Sequence, residues 1–149
     1  MRAVVQRVSG ASVEVRGETV GRVDAGLLVY LGVAREDQEA DARFLAEKVA
    51  GLRVFDDQRG VMNLPLEQVG GGVLVVSAFT TQGDARRGRR PSYAGAAPPE
   101  AAELLYDVFC GELARKGLEV VRGRFRSEMQ VSSINDGPVC ILLDSKKVF

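Results

Sequence analysis

The chain has 149 residues, 46% of them hydrophobic and 27% charged, and its 20 Lys and Arg are balanced by 20 Asp and Glu. That length suits one domain with a full core, and a neutral total does not advertise a nucleic-acid partner, leaving phosphate contacts to local patches. The absence of histidine closes the Ser-His-Asp and Cys-His routes to hydrolysis and removes imidazole as a metal ligand.

The opening, Met1 to Arg7, is too short and too soon charged for a secretory leader, and no apolar run reaches the length of a membrane span. The expectation is a cytoplasmic protein. Residues 2–33 read as strands. Residues 11–16 alternate, Gly17-Glu18 suits a hairpin turn into residues 19–23, and residues 27–33 form a continuous apolar run fit for a strand covered on both faces. Residues 36–51 read as a helix, with Leu45, Val49 and Leu52 on one face and Phe44 beside them. A short strand at 53–55 leads into a turn at 56–60, where Asp56 and Asp57 read as a solvated pair. Three glycines at 70–72 precede the buried strand 73–76, which delivers Ser77-Ala78-Phe79-Thr80-Thr81.

Residues 82–98 are a polar loop carrying Arg86, Arg87, Arg89 and Arg90, and a loop of that length in a compact domain is often functional. A second helix spans about 99–116, with Pro99 in its first turn, Leu105, Phe109 and Leu113 on one face, and Gly117 as its stop. Strands are predicted near 118–122, 129–134 and 139–144. The fold class is therefore α/β: one strand-rich domain over 1–149, with layered sheets or a partial barrel and two helices. Cys110 reads as core. With Cys140 far away and no CxxC pair, neither a zinc site nor a disulfide framework is suggested.

Three segments invite a chemical reading, and each also has a plain one. The bend after Val76 either presents the N–H groups of Ala78, Phe79 and Thr80 to an oxyanion or is only a strand end, and the residues alone favour the latter. Gly137-Pro138 is either a plain turn with the usual trans bond or a cis pair whose carbonyls form a rigid acceptor for an ammonium group. The arginine loop is either a solvated surface or a phosphate contact. The alternating Arg122, Arg124 and Arg126 are read as one exposed strand face, and the arginine-rich usage as a whole as phosphate chemistry or genomic bias.

The chain resembles the bacterial and eukaryotic D-aminoacyl-tRNA deacylases essentially from end to end. The resemblance runs through the opening Met1 to Val8, Ala11-Ser12-Val13, Gly26-Leu27-Leu28-Val29, Arg53-Val54-Phe55-Asp56, Met62-Asn63-Leu64, Arg87-Gly88-Arg89-Arg90-Pro91-Ser92 and Gly123-Arg124-Phe125. Its most specific stretch is Met129-Gln130-Val131 with Asn135-Asp136-Gly137-Pro138-Val139. The resemblance implies hydrolysis of the ester of D-aminoacyl-tRNA, with glycyl-tRNA a further candidate because glycine has no side chain to reject. It implies a homodimer with active sites at the interface, each subunit lending a cis Gly137-Pro138 motif to its partner. Carbonyls of Gly137 and Pro138 would hold the substrate's amino group, so that an L side chain is driven into the motif and a D side chain points away. Arg7 would hold the motif, and Met129, Asn135, Val139 and Cys140 belong to the same substrate-selecting set.

The tRNA 2′-hydroxyl is expected to assist in place of a side-chain base, and the backbone of Ser77, Ala78, Phe79 and Thr80 to stabilise the oxyanion. Thr80 has been a nucleophile candidate in the family, but a positional role is expected here. The 3′ end of aminoacyl-tRNA is the expected partner, with Arg86, Arg87, Arg89 and Arg90 candidates for its phosphates. No metal, cofactor, DNA or membrane is implied. Three departures stand out: Ala78 and Thr81 in a segment the family usually reads Ser-Gln-Phe-Thr-Leu, and Cys140 where threonine is usual. Ala78 motivates an alternative, a weakened paralogue that binds aminoacyl-tRNA ends without efficient turnover.

Overall fold

One long strand organises the fold. β1 (Arg2–Val15) pairs antiparallel along one edge with β3 (Gly26–Gly32) and then β2 (Glu18–Val23), and along its other edge with β8 (Gln130–Asp144). The structure is a computed structural model and describes residues 1–149. β3 pairs in parallel with β6 (Gly72–Ser77), and β6 with β7 (Glu119–Arg122), giving the order β2-β1-β3-β6-β7 with β8 added at β1. The sheet curls until β2 lies against β6 and β7. It is thus nearly closed, as the right-handed twist of strands favours.

Side-chain alternation sorts the strands between two cores. Ala3 and Val5 of β1, Leu27, Val29 and Leu31 of β3, and Val73 and Val75 of β6 meet the helices. Val8, Ala11 and Val13 of β1, with Leu28, Leu74 and Val76, fill the inside of the curl. β1 changes face between Arg7 and Gly10, where its pairing with β8 slips twice. β3 and β6 read as unbroken apolar runs because both their faces are covered.

Helix α1 (Glu39–Ala50) buries Ala42, Leu45, Ala46 and Val49, spaced as one helical stripe. Its start is fixed by the Asp41 carboxylate, which accepts the Gln38 N–H at 2.9 Å. α3 (Pro99–Arg115) begins on Pro99 and buries Tyr106, Phe109, Cys110 and Leu113 against α1 and the sheet. Full burial of a side chain such as Leu45 or Phe109 contributes about 1.5–3 kcal/mol, so this interface anchors the outer layer. No helix is long and apolar enough to cross a membrane.

The structure departs from the sequence reading in four places. A third helix, α2 (Leu66–Val69), caps the approach to β6, and residues 55–64 form a small hairpin of β4 (Phe55–Asp56) and β5 (Met62–Leu64). The hairpin turn is tied by the Asp57 carboxylate, which accepts the N–H groups of Arg59 at 2.8 Å and Val61 at 3.2 Å. β8 is a single strand rather than two, because both its halves stay paired with β1 on either side of residues 136–139. Arg122, Arg124 and Arg126 do not share a strand face: β7 ends at Arg122, and Arg126 lies in a turn with φ 55°. Each reaches a different carboxylate, of Asp107, Glu18 and Glu100 respectively.

The first and last strands are also joined by charge. The Met1 ammonium, fully buried, sits 2.6 Å from the Asp37 carboxylate and 2.6 Å from the Ser145 hydroxyl. Arg2 pairs with the buried Asp144 of β8 at 3.0 Å.

Candidate active site

The parallel strands β3 and β6 end side by side, with Leu31 in register with Ser77. β6 stops there, and Phe79–Gln82 form a single 3-10 turn. The segment is therefore a bend and not a simple strand end. The turn is fastened to the end of β3: Ala78 donates its N–H to the Leu31 carbonyl at 2.8 Å, and the Gln82 amide donates to the Gly32 carbonyl at 2.9 Å. Gly32 is required by this closeness, since a Cβ there would strike the Thr81 side chain and lie 2.7 Å from the Ala78 carbonyl oxygen. The Ala78 N–H, expected to face a substrate, is thus already committed. The N–H groups of Phe79 and Thr80, first in the turn, have no acceptor within it.

This turn forms part of the wall of a cavity of about 910 Å³. Tyr30, Leu31 and Val76 come from the strands, Tyr93 and Ala96 from the arginine loop, Pro99, Ala102 and Tyr106 from α3, and Phe125, Met129 and Val131 from the approach to and start of β8. The lining is mostly apolar, with Arg35 and Arg126 as its charged members. Phe79 and Tyr93 meet edge to face with ring centres 5.1 Å apart, and both are exposed. The Tyr106 hydroxyl donates to the Val75 carbonyl at 2.9 Å, and burial raises its pKa far above the ordinary phenol value. Burial likewise pushes the Cys110 thiol up to about 11, which keeps it a protonated core residue rather than a nucleophile. No side-chain nucleophile and base are paired around the turn. What the turn offers to a reacting group is backbone N–H.

The second group of expected residues lies elsewhere. Of Arg7, Met129, Asn135, Gly137, Pro138, Val139 and Cys140, only Met129 lines the cavity. The others gather where β8 runs past Arg7. Between the pairs Gln6 with Cys140 and Val8 with Asn135, β1 advances two residues while β8 advances five. The surplus residues are pushed outward as an exposed loop. The Asn135 side chain closes the loop, accepting the Val139 N–H at 2.9 Å and donating to the Val139 carbonyl at 3.1 Å. Arg7, only 8% exposed, fixes it from behind. Its Nε donates to the Asp136 carbonyl at 3.0 Å, another guanidinium nitrogen donates to the Val54 carbonyl at 2.6 Å, and the carboxylates of Asp136 and Asp56 lie 3.3 and 3.6 Å away.

The Gly137-Pro138 bond is cis, not the trans bond that the residues unaided suggested. Gly137 has φ +138°, and a Cβ on it would lie 2.7 Å from Val139 Cγ2 and 2.8 Å from the Val139 nitrogen. Gly137 and Pro138 are exposed, whereas Val139 is anchored in the core.

The arginine loop is closed at its neck by paired hydrogen bonds between Asp84 and Ser92, at 2.8 and 2.9 Å. Arg86 grips Asp84 through two side-chain bonds of 2.9 and 2.7 Å, and this holds the Asp84 carboxyl well below the usual carboxylate range. Arg87, Arg89 and Arg90 stand exposed at the tip and pair with no carboxylate. Sequence reasoning missed Tyr30, Arg35, Tyr93, Tyr106, Phe125 and Gln82. Period-two alternation along β3 could have pointed to Tyr30, which lies opposite the helix-facing Leu27, Val29 and Leu31, but nothing local marked the other five.

Together these features define a class: a curled α/β fold that presents backbone amides in an apolar cavity and keeps a braced Gly-Pro loop on its surface. The family model for D-Tyr-tRNA(Tyr) deacylase matches residues 4–144. A D-aminoacyl-tRNA deacylase of Anaeromyxobacter dehalogenans is 60% identical over 149 residues, all of both chains. One of Syntrophobacter fumaroxidans is 56% identical over the same extent. Among solved structures, the c-Myc DNA Unwinding Element Binding Protein matches with TM-score 0.91 and 38% identity, covering 97% of this chain and 98% of that one. The DNA in that name concerns that protein. The structure of a probable eukaryotic D-amino acid tRNA deacylase matches with TM-score 0.80 over 95% of this chain and 97% of that one. At 16% identity it speaks for the fold alone. The chain belongs to the D-Tyr-tRNA(Tyr) deacylase family. It is accordingly a hydrolase, of a family that acts on aminoacyl-tRNA.

Proposed function

We propose that the protein removes D-amino acids from tRNA by ester hydrolysis, in active sites each assembled from the cavity of one subunit and the Gly137-Pro138 loop of another. The observation that carries this reading is the separation of the two parts. The cavity holds the bend at 77–80, whereas the Gly-Pro loop, braced by Arg7 and Asn135, is exposed and lies outside the cavity. A homodimer brings one to the other. β8 supplies a surface for it: a 15-residue strand with no partner on its outer edge and with Ile134 and Leu142 exposed.

In this arrangement the carbonyls of Gly137 and Pro138 accept hydrogen bonds from the substrate's ammonium group. That fixes the α-carbon, and an L side chain then meets the loop while a D side chain, or the hydrogen of glycine, does not. Water adds to the ester carbonyl carbon, and the N–H groups of Phe79 and Thr80 take the developing oxyanion. The bond to the 3′ oxygen breaks, releasing amino acid and tRNA, with the neighbouring 2′-hydroxyl assisting in place of a side-chain base. Orientation and preorganised donors supply the rate, which suits a chain with no histidine. Arg87, Arg89 and Arg90 are free to meet phosphates of the tRNA, whereas Arg86 is engaged by Asp84. The deacylase domain occupies 1–149, the protein works in the cytoplasm, and no cofactor enters the reaction.

Ala78 does not favour the non-catalytic alternative. Its N–H goes to Leu31 and its carbonyl accepts the Thr81 N–H at 3.1 Å, so its part in the turn is played by backbone. The test is amino acid release from matched D- and L-tyrosyl-tRNA, with glycyl-tRNA alongside, at catalytic amounts of protein. Release from the D form and not the L form is expected. Retained tRNA binding with no release from any of the three would establish the binding paralogue instead.

A further inference from the structure

Apart from the Met1 ammonium, Tyr106 and Cys110, three residues with polar or charged side chains are buried: Arg7, Asp144 and Gln82. Arg7 and Asp144 have charged partners. Gln82, 8% exposed, is the exception. Its amide nitrogen makes one bond, to the Gly32 carbonyl at 2.9 Å. A buried amide left without that bond bears its full desolvation cost, so the contact is strongly directional.

The bond sits at a telling place. Leu31 and Gly32 are the last two residues of β3. The Leu31 carbonyl takes the N–H of Ala78, at the start of the bend, and the Gly32 carbonyl takes the side chain of Gln82, at its end. The turn is thus clamped to one strand end at both of its own ends, with Phe79, Thr80 and Thr81 between. Beyond the edge-to-face contact of Phe79 with Tyr93, little else holds them. Phe79 is 60% exposed, the Thr81 hydroxyl is buried without any hydrogen-bond partner, and the bonds from Thr81 to Ala78 and from Gly83 to Thr80 are internal to the turn. Arg2 adds one contact from outside, to the Thr81 carbonyl at 3.2 Å.

We propose that Gln82 is a positioning residue for the deacylation reaction: its buried amide sets where the N–H groups of Phe79 and Thr80 stand in the cavity. This rests on the reading that the bend at 77–80 contacts the ester. Gln82→Met removes the donor at nearly the same length, and Gln82→Glu keeps the shape but turns an acceptor towards the Gly32 carbonyl. A displacement of about 1 Å in catalytic groups costs on the order of 10²-fold in rate. Both variants are therefore expected to lose about tenfold or more in kcat for D-tyrosyl-tRNA, with KM changed by less than about threefold.

The experiment measures kcat, KM and Tm for both variants. It also follows the Phe79 and Thr80 amide resonances of wild type during titration with an amide-linked D-tyrosyl-adenosine. Movement of those resonances in wild type, with kcat lost at nearly unchanged KM in the variants, supports the proposal. If the resonances move but the variants keep wild-type kcat, or lose activity only in proportion to folded protein, Gln82 is a structural residue and the proposal falls. If the resonances do not move, the role of the bend itself is wrong and the proposal falls with it.

Discussion

At Gly137 two constraints coincide, a left-handed backbone with φ +138° and a neighbour, Val139, that leaves no room for a Cβ. Gly137→Ala is expected to displace the loop that Asn135 and Arg7 brace. The activity on D-tyrosyl-tRNA should fall by about tenfold or more, as overpacking forces backbone movement. Unchanged rates on both isomers would count against a role in chiral selection. Thr80 tests the other part of the site. Loss of a true nucleophile costs on the order of 10⁶-fold in kcat, whereas a backbone role predicts that Thr80→Ala stays within about tenfold of wild type. Single-turnover rates on folded protein decide between the two. Neither role was legible from the residues alone. Sequence spacing does not say which N–H groups a bend leaves free, and the commitment of Ala78 to Leu31 appears only when two strand ends are brought together.

Among the elements, the helices were the most readable, because the stripes ending in Val49 and Leu113 repeat over several turns. The pieces missed were short. α2 has four residues and β5 three, too few for any periodicity to register. β8 was split at Gly-Pro because that dipeptide normally ends a strand, yet here the pairing with β1 resumes beyond a bulge. At this scale α1 carries a pH-dependent contact. Burial acts to raise the Asp41 pKa, but bonds from the Lys146 ammonium, the Gln38 N–H and the Ser145 hydroxyl outweigh it and hold the carboxyl at about 2, below its ordinary value of 3.8. A depressed carboxyl stabilises the fold above its unfolded pKa, and that contribution is lost as pH falls through the folded value. Relative to Asp41→Asn, wild type should therefore lose its advantage in Tm between about pH 4 and pH 2. Equal pH slopes for the two proteins would mean that Lys146 does not hold this helix start in solution.

For the molecule as a whole, the α/β class and a strand-rich domain were readable, since strand runs and helical stripes alternate along the chain, while layered sheets and a partial barrel both stayed open. Residue spacing alone did not reveal that the bend at 77–80 and the Gly-Pro loop are apart within one subunit, because distance between two loops is a property of the folded sheet; only the family resemblance implied a motif lent to the partner. That separation supports the proposed dimeric active site, and the proposal can be tested by mixing subunits. Gly137→Ala damages the loop and leaves the cavity, whereas Ala102→Phe fills the cavity and leaves the loop. Each protein alone should be nearly inactive on D-tyrosyl-tRNA. Co-refolded in equal amounts, they should recover about a quarter of wild-type activity, since half the dimers are mixed and each mixed dimer rebuilds one of its two sites. If the mixture is no more active than its parts while heterodimers form, the Gly-Pro loop does not serve a partner's cavity and the shared active site is wrong.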